Sequence, residues 1–175
     1  MDNEAILSTL TEICETISTR GVYANYAWCS EQLSEILQIS DPAEINDIML
    51  NISRLSFLKT TRSVYQWSTL KYASLFGFKE RSELHGKLDM ELAWGEEVTL
   101  AFQAADEQVI NNNTLSIVEC RATLPDTTER FFKSKLYPVY NPNRQVVGIL
   151  GVVRELLSSD MQTSRIVSDA IEAAS

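Results

Sequence analysis

His85 is the only histidine in the chain, and the three cysteines, Cys14, Cys29 and Cys120, stand far apart with no CxxC pair. That inventory argues against zinc proteases of the HExxH type, multi-histidine iron sites, a Ser-His-Asp triad, a thiolate zinc site and a disulfide framework. Neither GxxxxGK[ST] nor GxGxxG occurs, so no glycine-rich loop is present to cradle a nucleotide phosphate. Two carboxylate pairs remain, Glu96/Glu97 and Asp106/Glu107. General acid–base work needs carboxyls that converge on one pocket with pKa values pushed apart. Neighbours on a helix diverge by about 100°, so a solvated face is the expected role of both pairs. An inward carboxylate opposite a tyrosine hydroxyl is the other useful arrangement, and Asp89 with Tyr65 or Tyr72 is the one candidate.

A second set of residues could bind without reacting. Phe57, Tyr65, Trp67, Tyr72, Phe76, Trp94, Phe102 and Phe132 either line a cavity between a sheet and its helices or fill a core. Ser116, Ser134 and Cys120 fall on the inward face of expected strands. Buried hydroxyls need partners, which a ligand or water can supply. The candidate ligand-binding residues are therefore Tyr65, Trp67, Tyr72, Phe76, Trp94, Phe102, Cys120, Phe132 and Ser134, with no catalytic and no metal-binding residue.

The elements that must position these residues follow from periodicity. Ile6, Leu10, Ile13 and Ile17 recur on one helical stripe ending near Gly21, and Tyr26, Cys29, Leu33, Ile36 and Leu37 form a second. Asp41-Pro42-Ala43-Glu44 opens a third helix, with Ile45, Ile48, Met49 and Ile52 on its apolar face. From Leu55 the pattern changes to two short strands, 56–59 and 64–67, then short helices at 70–76 and 81–84 stopped by Gly77 and Gly86. A longer helix is expected over 96–111, followed by strands at 115–123, 129–140 and 145–156. The tail after Ser158 reads as a last amphipathic helix carrying Ile166, Val167, Ala170 and Ile171. The fold class is α+β: an antiparallel five-stranded sheet over 55–157 with helices on one face, a helical N-terminal extension over 1–54 and a C-terminal helix over 158–175. The amphipathic stripes of the terminal helices favour a homodimer over folding back on the monomer.

At 175 residues the chain suits one domain with extensions, and 45% hydrophobic with 22% charged residues is enough for a packed core. A net charge of -9 repels phosphate backbones, so no direct nucleic-acid contact is expected. No apolar run reaches the ~18 residues that a bilayer span needs, and no signal peptide is evident; a cytoplasmic location with no membrane contact is expected.

The order of elements from Leu55 resembles the PAS domain, a sensory and protein-interaction module, over about 60% of the chain. Tyr72-Ala73-Ser74-Leu75-Phe76-Gly77-Phe78 is similar to the helix and stop that follow the second PAS strand. The stretch from Glu83 to Trp94, with Gly86-Lys87-Leu88-Asp89, resembles the E-L-I-G-K-T-D-x-D-L-P-W run of one large PAS subfamily. Gly148-Ile149-Leu150-Gly151-Val152-Val153-Arg154-Glu155-Leu156 resembles its closing strand, with Glu155 in place of the usual Asp and Ser68 where an Asn is frequent. The resemblance implies a non-enzymatic sensor that binds a small ligand or a signalling partner and relays the event through its terminal helices. It implies no cofactor: the Asn-Cys-Arg-Phe-Leu-Gln motif of flavin-adduct PAS domains is missing, the long helix has no haem histidine, and His85 reads as a loop residue. The competing class is a small enzyme of the ketosteroid-isomerase type, from which the early pair of strands departs; a ligand-free dimerisation scaffold is the third.

Overall fold

A computed structural model describes residues 2–157 and 165–167. Three helices open the chain: α1 (Asn3–Arg20), α2 (Tyr26–Leu37) and α3 (Pro42–Ile52). Each begins or ends for a local reason. Asp2 and Asp41 accept hydrogen bonds from the amides of Ala5 and Ala43, Pro42 takes the first turn of α3, and Gln38 closes α2 in the left-handed region. Strands β1 (Leu55–Thr60) and β2 (Tyr65–Ser68) follow, then the short α4 (Leu70–Ser74), 3-10 turns at Arg81–Glu83 and Asp89–Glu91, and the long α5 (Glu96–Asn112). Strands β3 (Ser116–Thr123), β4 (Glu129–Tyr140) and β5 (Val146–Leu156) complete the expected set.

All neighbouring strands pair antiparallel, in the order β2-β1-β5-β4-β3, and a sixth short strand, β6 (Arg165–Val167), extends the sheet beyond β3. The α+β class and the five-stranded sheet are as expected from the sequence. The tail differs: Arg165 to Val167 are extended and pair with Ile117 to Glu119, not helical. The outer edge of β3 offers unpaired amides and carbonyls there, and a sheet edge recruits extended chain more strongly than a weak apolar stripe specifies a helix. The remainder of the expected C-terminal helix lies outside the described residues.

The sheet separates two apolar layers. On one face α4, the 3-10 turns and α5 cover Phe57, Tyr65, Val118, Cys120, Phe132, Leu136, Ile149 and Val153. On the opposite face α1, α2 and α3 bury their stripes against Leu58, Trp67, Tyr137, Val139, Leu150 and Val152. The N-terminal helices therefore use their apolar stripes on their own sheet, which removes those stripes as the source of a dimer. Two glycines of β5 let the layers close. A Cβ at Gly151 would stand 2.1 Å from the Phe57 ring, and one at Gly148 would stand 2.7 Å from Leu7 of α1.

Candidate functional site

The site is built on a lysine that stands two residues after Phe57 on the inner face of β1. Lys59 is fully buried beneath α5. Its ammonium donates to Asp89 Oδ2 and, at 3.0 Å, to Asp106 Oδ2. It also sits 5.0 to 5.3 Å from the ring centroids of Phe57, Tyr65 and Phe102, an aromatic cage suited to a cation. Each carboxylate arrives on its own element. Asp106 stands one turn beyond Phe102 on the apolar side of α5. Asp89 opens a 3-10 turn that follows Lys87, and the backbone of Gly86 and Lys87 pairs with Tyr65 through bonds of 2.8 and 2.9 Å, fixing the loop against β2.

Two tyrosines complete the network. The Tyr65 hydroxyl donates to Asp89 Oδ1 at 2.5 Å and lies 2.8 Å from the Tyr72 hydroxyl. Burial raises both phenols well above their ordinary range, and the charge of Asp89 adds to it. Both oxygens of Asp89 are thus engaged. Asp106 is different. Burial pushes its carboxyl up against the opposing pull of Lys59, and Asp89 pushes it further. The Ser63 hydroxyl, in the β1–β2 turn, stands near enough to this carboxyl to favour its charged form, but it makes no hydrogen bond to Oδ1. Burial works against the Lys59 ammonium, but the two carboxylates outweigh it and hold its pKa above the ordinary lysine value.

Three buried polar atoms have no hydrogen-bond partner among the described residues: Asp106 Oδ1, Trp94 Nε1 and Ser134 Oγ. All three belong to the layer between α5 and the inner face of the sheet. Trp94 packs 5.5 Å from Phe102 and 5.9 Å from Phe132 (centroid to centroid); Asp106 follows Phe102 by one turn on the buried side of α5, next to Ala105, and Ser134 is the next inward residue after Phe132 on β4. Orphaned buried donors and acceptors cost free energy, about 1–3 kcal/mol each, and are the exception in folded proteins.

The candidate residues named from sequence gather here with one exception. Tyr65, Tyr72, Phe76, Trp94, Phe102, Cys120, Phe132 and Ser134 all face this layer. Trp67 does not. The pairing of β1 with β2 slips between Leu58 and Lys59, so that Leu58 faces Trp67 while Lys59 faces Tyr65. Gln66 is the extra residue of a bulge, and the bulge turns Trp67 to the opposite face, among the N-terminal helices. There its indole Nε1 donates to Glu15 Oε1 of α1 at 2.7 Å, and Arg81 meets the same carboxylate while its guanidinium stands 5.7 Å over the indole ring. Sequence reasoning missed Lys59 and assigned Asp106 to a solvated face. Glu96, Glu97 and Glu107 are indeed exposed, but Asp106 is 1% exposed. The signal was available, since Asp106 lies four residues after Phe102 on the stripe of Val98, Phe102 and Val109.

Two strands, short helices and turns, a long helix, then three strands in the spatial order 2-1-5-4-3 form one antiparallel sheet whose inner face holds this site. The fold is that of a PAS domain. Among solved structures, the VqmA dimer of Vibrio cholerae, described as a LuxR-type receptor, matches with a TM-score of 0.55 at 19% identity, over 61% of this chain and 48% of VqmA. VqmA bound to DPO matches with a TM-score of 0.54 at 18% identity, over 67% of this chain and 59% of the other. The phage VqmA–DPO complex matches with a TM-score of 0.51 at 22% identity, over 59% and 47%. The PAS-fold chain thus aligns with about half the length of these receptors. No family model and no curated protein matches the sequence. Among the described residues, no three His, Cys, Asp or Glu side chains are placed to hold a metal, and no helix is long and apolar enough to cross a membrane.

Proposed function

We propose that the chain is a sensory domain that takes a small molecule between α5 and the sheet and passes its bound state to the N-terminal helices. The observation that carries the reading is the trio of buried, unpartnered polar atoms, Asp106 Oδ1, Trp94 Nε1 and Ser134 Oγ, beside a caged ion cluster. A ligand offering complementary groups would satisfy all three. VqmA, whose matching portion has the same fold, is described bound to DPO, which supports a small-molecule ligand here without identifying or placing it. The relay has a physical path: the Gln66 bulge places Tyr65 in the cluster and Trp67 on Glu15 of α1, and Arg81 on the same loop as Asp89 holds that carboxylate. A ligand shifts this device by its difference in affinity for the two states.

The domain acts without catalysis and without a bound cofactor. The isomerase-type alternative needs a free carboxylate as base, and Asp89, though it does meet Tyr65, is saturated by Tyr65 and Lys59. It works in the cytoplasm as a homodimer or against a signalling partner, and makes no direct nucleic-acid contact itself; the dimer described for VqmA supports the first. Light scattering on the purified protein checks the dimer, with twice the 19.7 kDa chain mass expected. Unfolding the purified protein and analysing what it releases by mass spectrometry tests ligand binding. One small organic compound per chain is expected, and Ser134→Leu, which fills the layer, should lose it. Release of nothing from protein prepared in several cell extracts would refute the reading.

A further inference from the structure

Among the described residues the interior holds one cation against two carboxylates: Lys59 faces Asp89 and Asp106, and Oδ1 of Asp106 has no hydrogen-bond partner. Asp89 is complete, with Lys59 and Tyr65 each on one oxygen. The groups facing Asp106 from the surrounding elements are Lys59 on β1, Ser63 in the β1–β2 turn and Asp89 on the 3-10 turn, with Tyr72 of α4 and Cys120 of β3 beyond them. Among them Lys59 is the one cation, and it is shared. A buried surplus of negative charge is costly, and is relieved either by a proton or by a second cation. The Phe57, Tyr65 and Phe102 rings already accommodate an ammonium, and Trp94 stacks beside them. Resting on the interior-ligand reading above, we infer that the ligand is a small organic cation, of the protonated amine or amidine class, whose N–H donates to Asp106 Oδ1.

Two consequences follow from charge balance. Cations should be preferred over neutral and anionic molecules of one shape, and binding should release a proton wherever the empty site holds Asp106 protonated, because N⁺–H recognition requires the carboxylate. Burial raises the Asp106 carboxyl, so this release grows as pH falls toward the acid range.

Benzamidinium, benzamide and benzoate differ in charge at nearly constant shape and are the probes. Calorimetry on the whole chain at pH 6, in phosphate and in MOPS buffer, should show benzamidinium binding at least tenfold more tightly than benzamide, benzoate weakest, and a buffer-dependent heat from proton release. Asp106→Asn, nearly isosteric, should erase the preference; its folding is checked by circular dichroism, and the buffer dependence of the wild type stands without it. Tighter binding of benzamide or benzoate, or a preference unchanged in Asp106→Asn, keeps the interior site and overturns the cation class. Failure of all three probes, both in the wild type and in Trp94→Ala with its enlarged interior, overturns the interior site itself and the class with it.

Discussion

Lys59 concentrates most of the electrostatic risk in this protein. Its ammonium is sealed from water, and the two carboxylates that justify it come from segments 30 and 47 residues away. Replacing it with methionine leaves two buried carboxylates without a counter-ion, and a loss of about 3–5 kcal/mol is expected in urea unfolding, as for other broken buried pairs. The double variant Lys59→Met/Asp106→Asn should recover part of that loss. The pH dependence has a definite sign. A carboxyl raised in the folded state binds protons more tightly there than in the unfolded chain, so its contribution is present below the ordinary aspartate value and declines as pH rises through the folded value. Unfolding measured from pH 4 upward should show the wild type losing stability relative to Asp106→Asn. Thiol chemistry gives an independent check: Cys14 and Cys120 are fully buried, and burial pushes the Cys120 thiol up to about 12. Neither should react with a thiol reagent at pH 8 until the chain unfolds. At this scale the sequence was least legible. A lysine on a strand and a carboxylate on a helix read as solvated by default, and only the three-dimensional meeting of Lys59, Asp89 and Asp106 overrides that default.

The elements, by contrast, could be read almost to their ends. Helical stripes, the Asp41-Pro42 start and strand alternation are short-range patterns, and α1 to α5 and β1 to β5 lie where those patterns place them. What periodicity does not encode is which surface a stripe meets. The N-terminal helices match the outer face of the sheet because Gly148 admits Leu7 and because β4 and β5 present Tyr137, Val139, Leu150 and Val152 there. The Gln66 bulge was equally invisible, since strict alternation puts Tyr65 and Trp67 on one side. Two tests belong here. Gly151→Ala drives a methyl into the Phe57 ring and should cost about 1–3 kcal/mol, measured by denaturant midpoint. Glu15 is partly exposed; burial raises its carboxyl, but the bonds from Trp67 and Arg81 prevail and hold it below the ordinary range. Its contribution is present above that range and lost as pH falls through the folded value. Glu15→Gln should flatten this acid limb, cost about 0.5–1 kcal/mol at neutral pH, and speed amide exchange in α1 while leaving α5 unchanged.

For the whole molecule, the sheet is a wall between two compartments with different duties. The inner one holds the ion cluster and the unpartnered polar atoms, and the outer one ties down the N-terminal helices. A surface groove of about 900 Å³ between the end of α1, α4 and the β3–β4 turn is open to solvent and shares no residue with the cluster, so size alone does not point to the site. The two compartments meet at β2 and at the loop that carries both Arg81 and Asp89, and the proposed relay runs through that junction. The most direct measurement is a crystal structure of the protein as it leaves the cell, at a resolution that identifies bound atoms. The expected result is a small molecule between Trp94, Phe102 and Phe132, within hydrogen-bond distance of Asp106 Oδ1 and of Trp94 Nε1 or Ser134 Oγ. Side chains packed so that these three atoms satisfy one another, with no bound molecule between them, would contradict it.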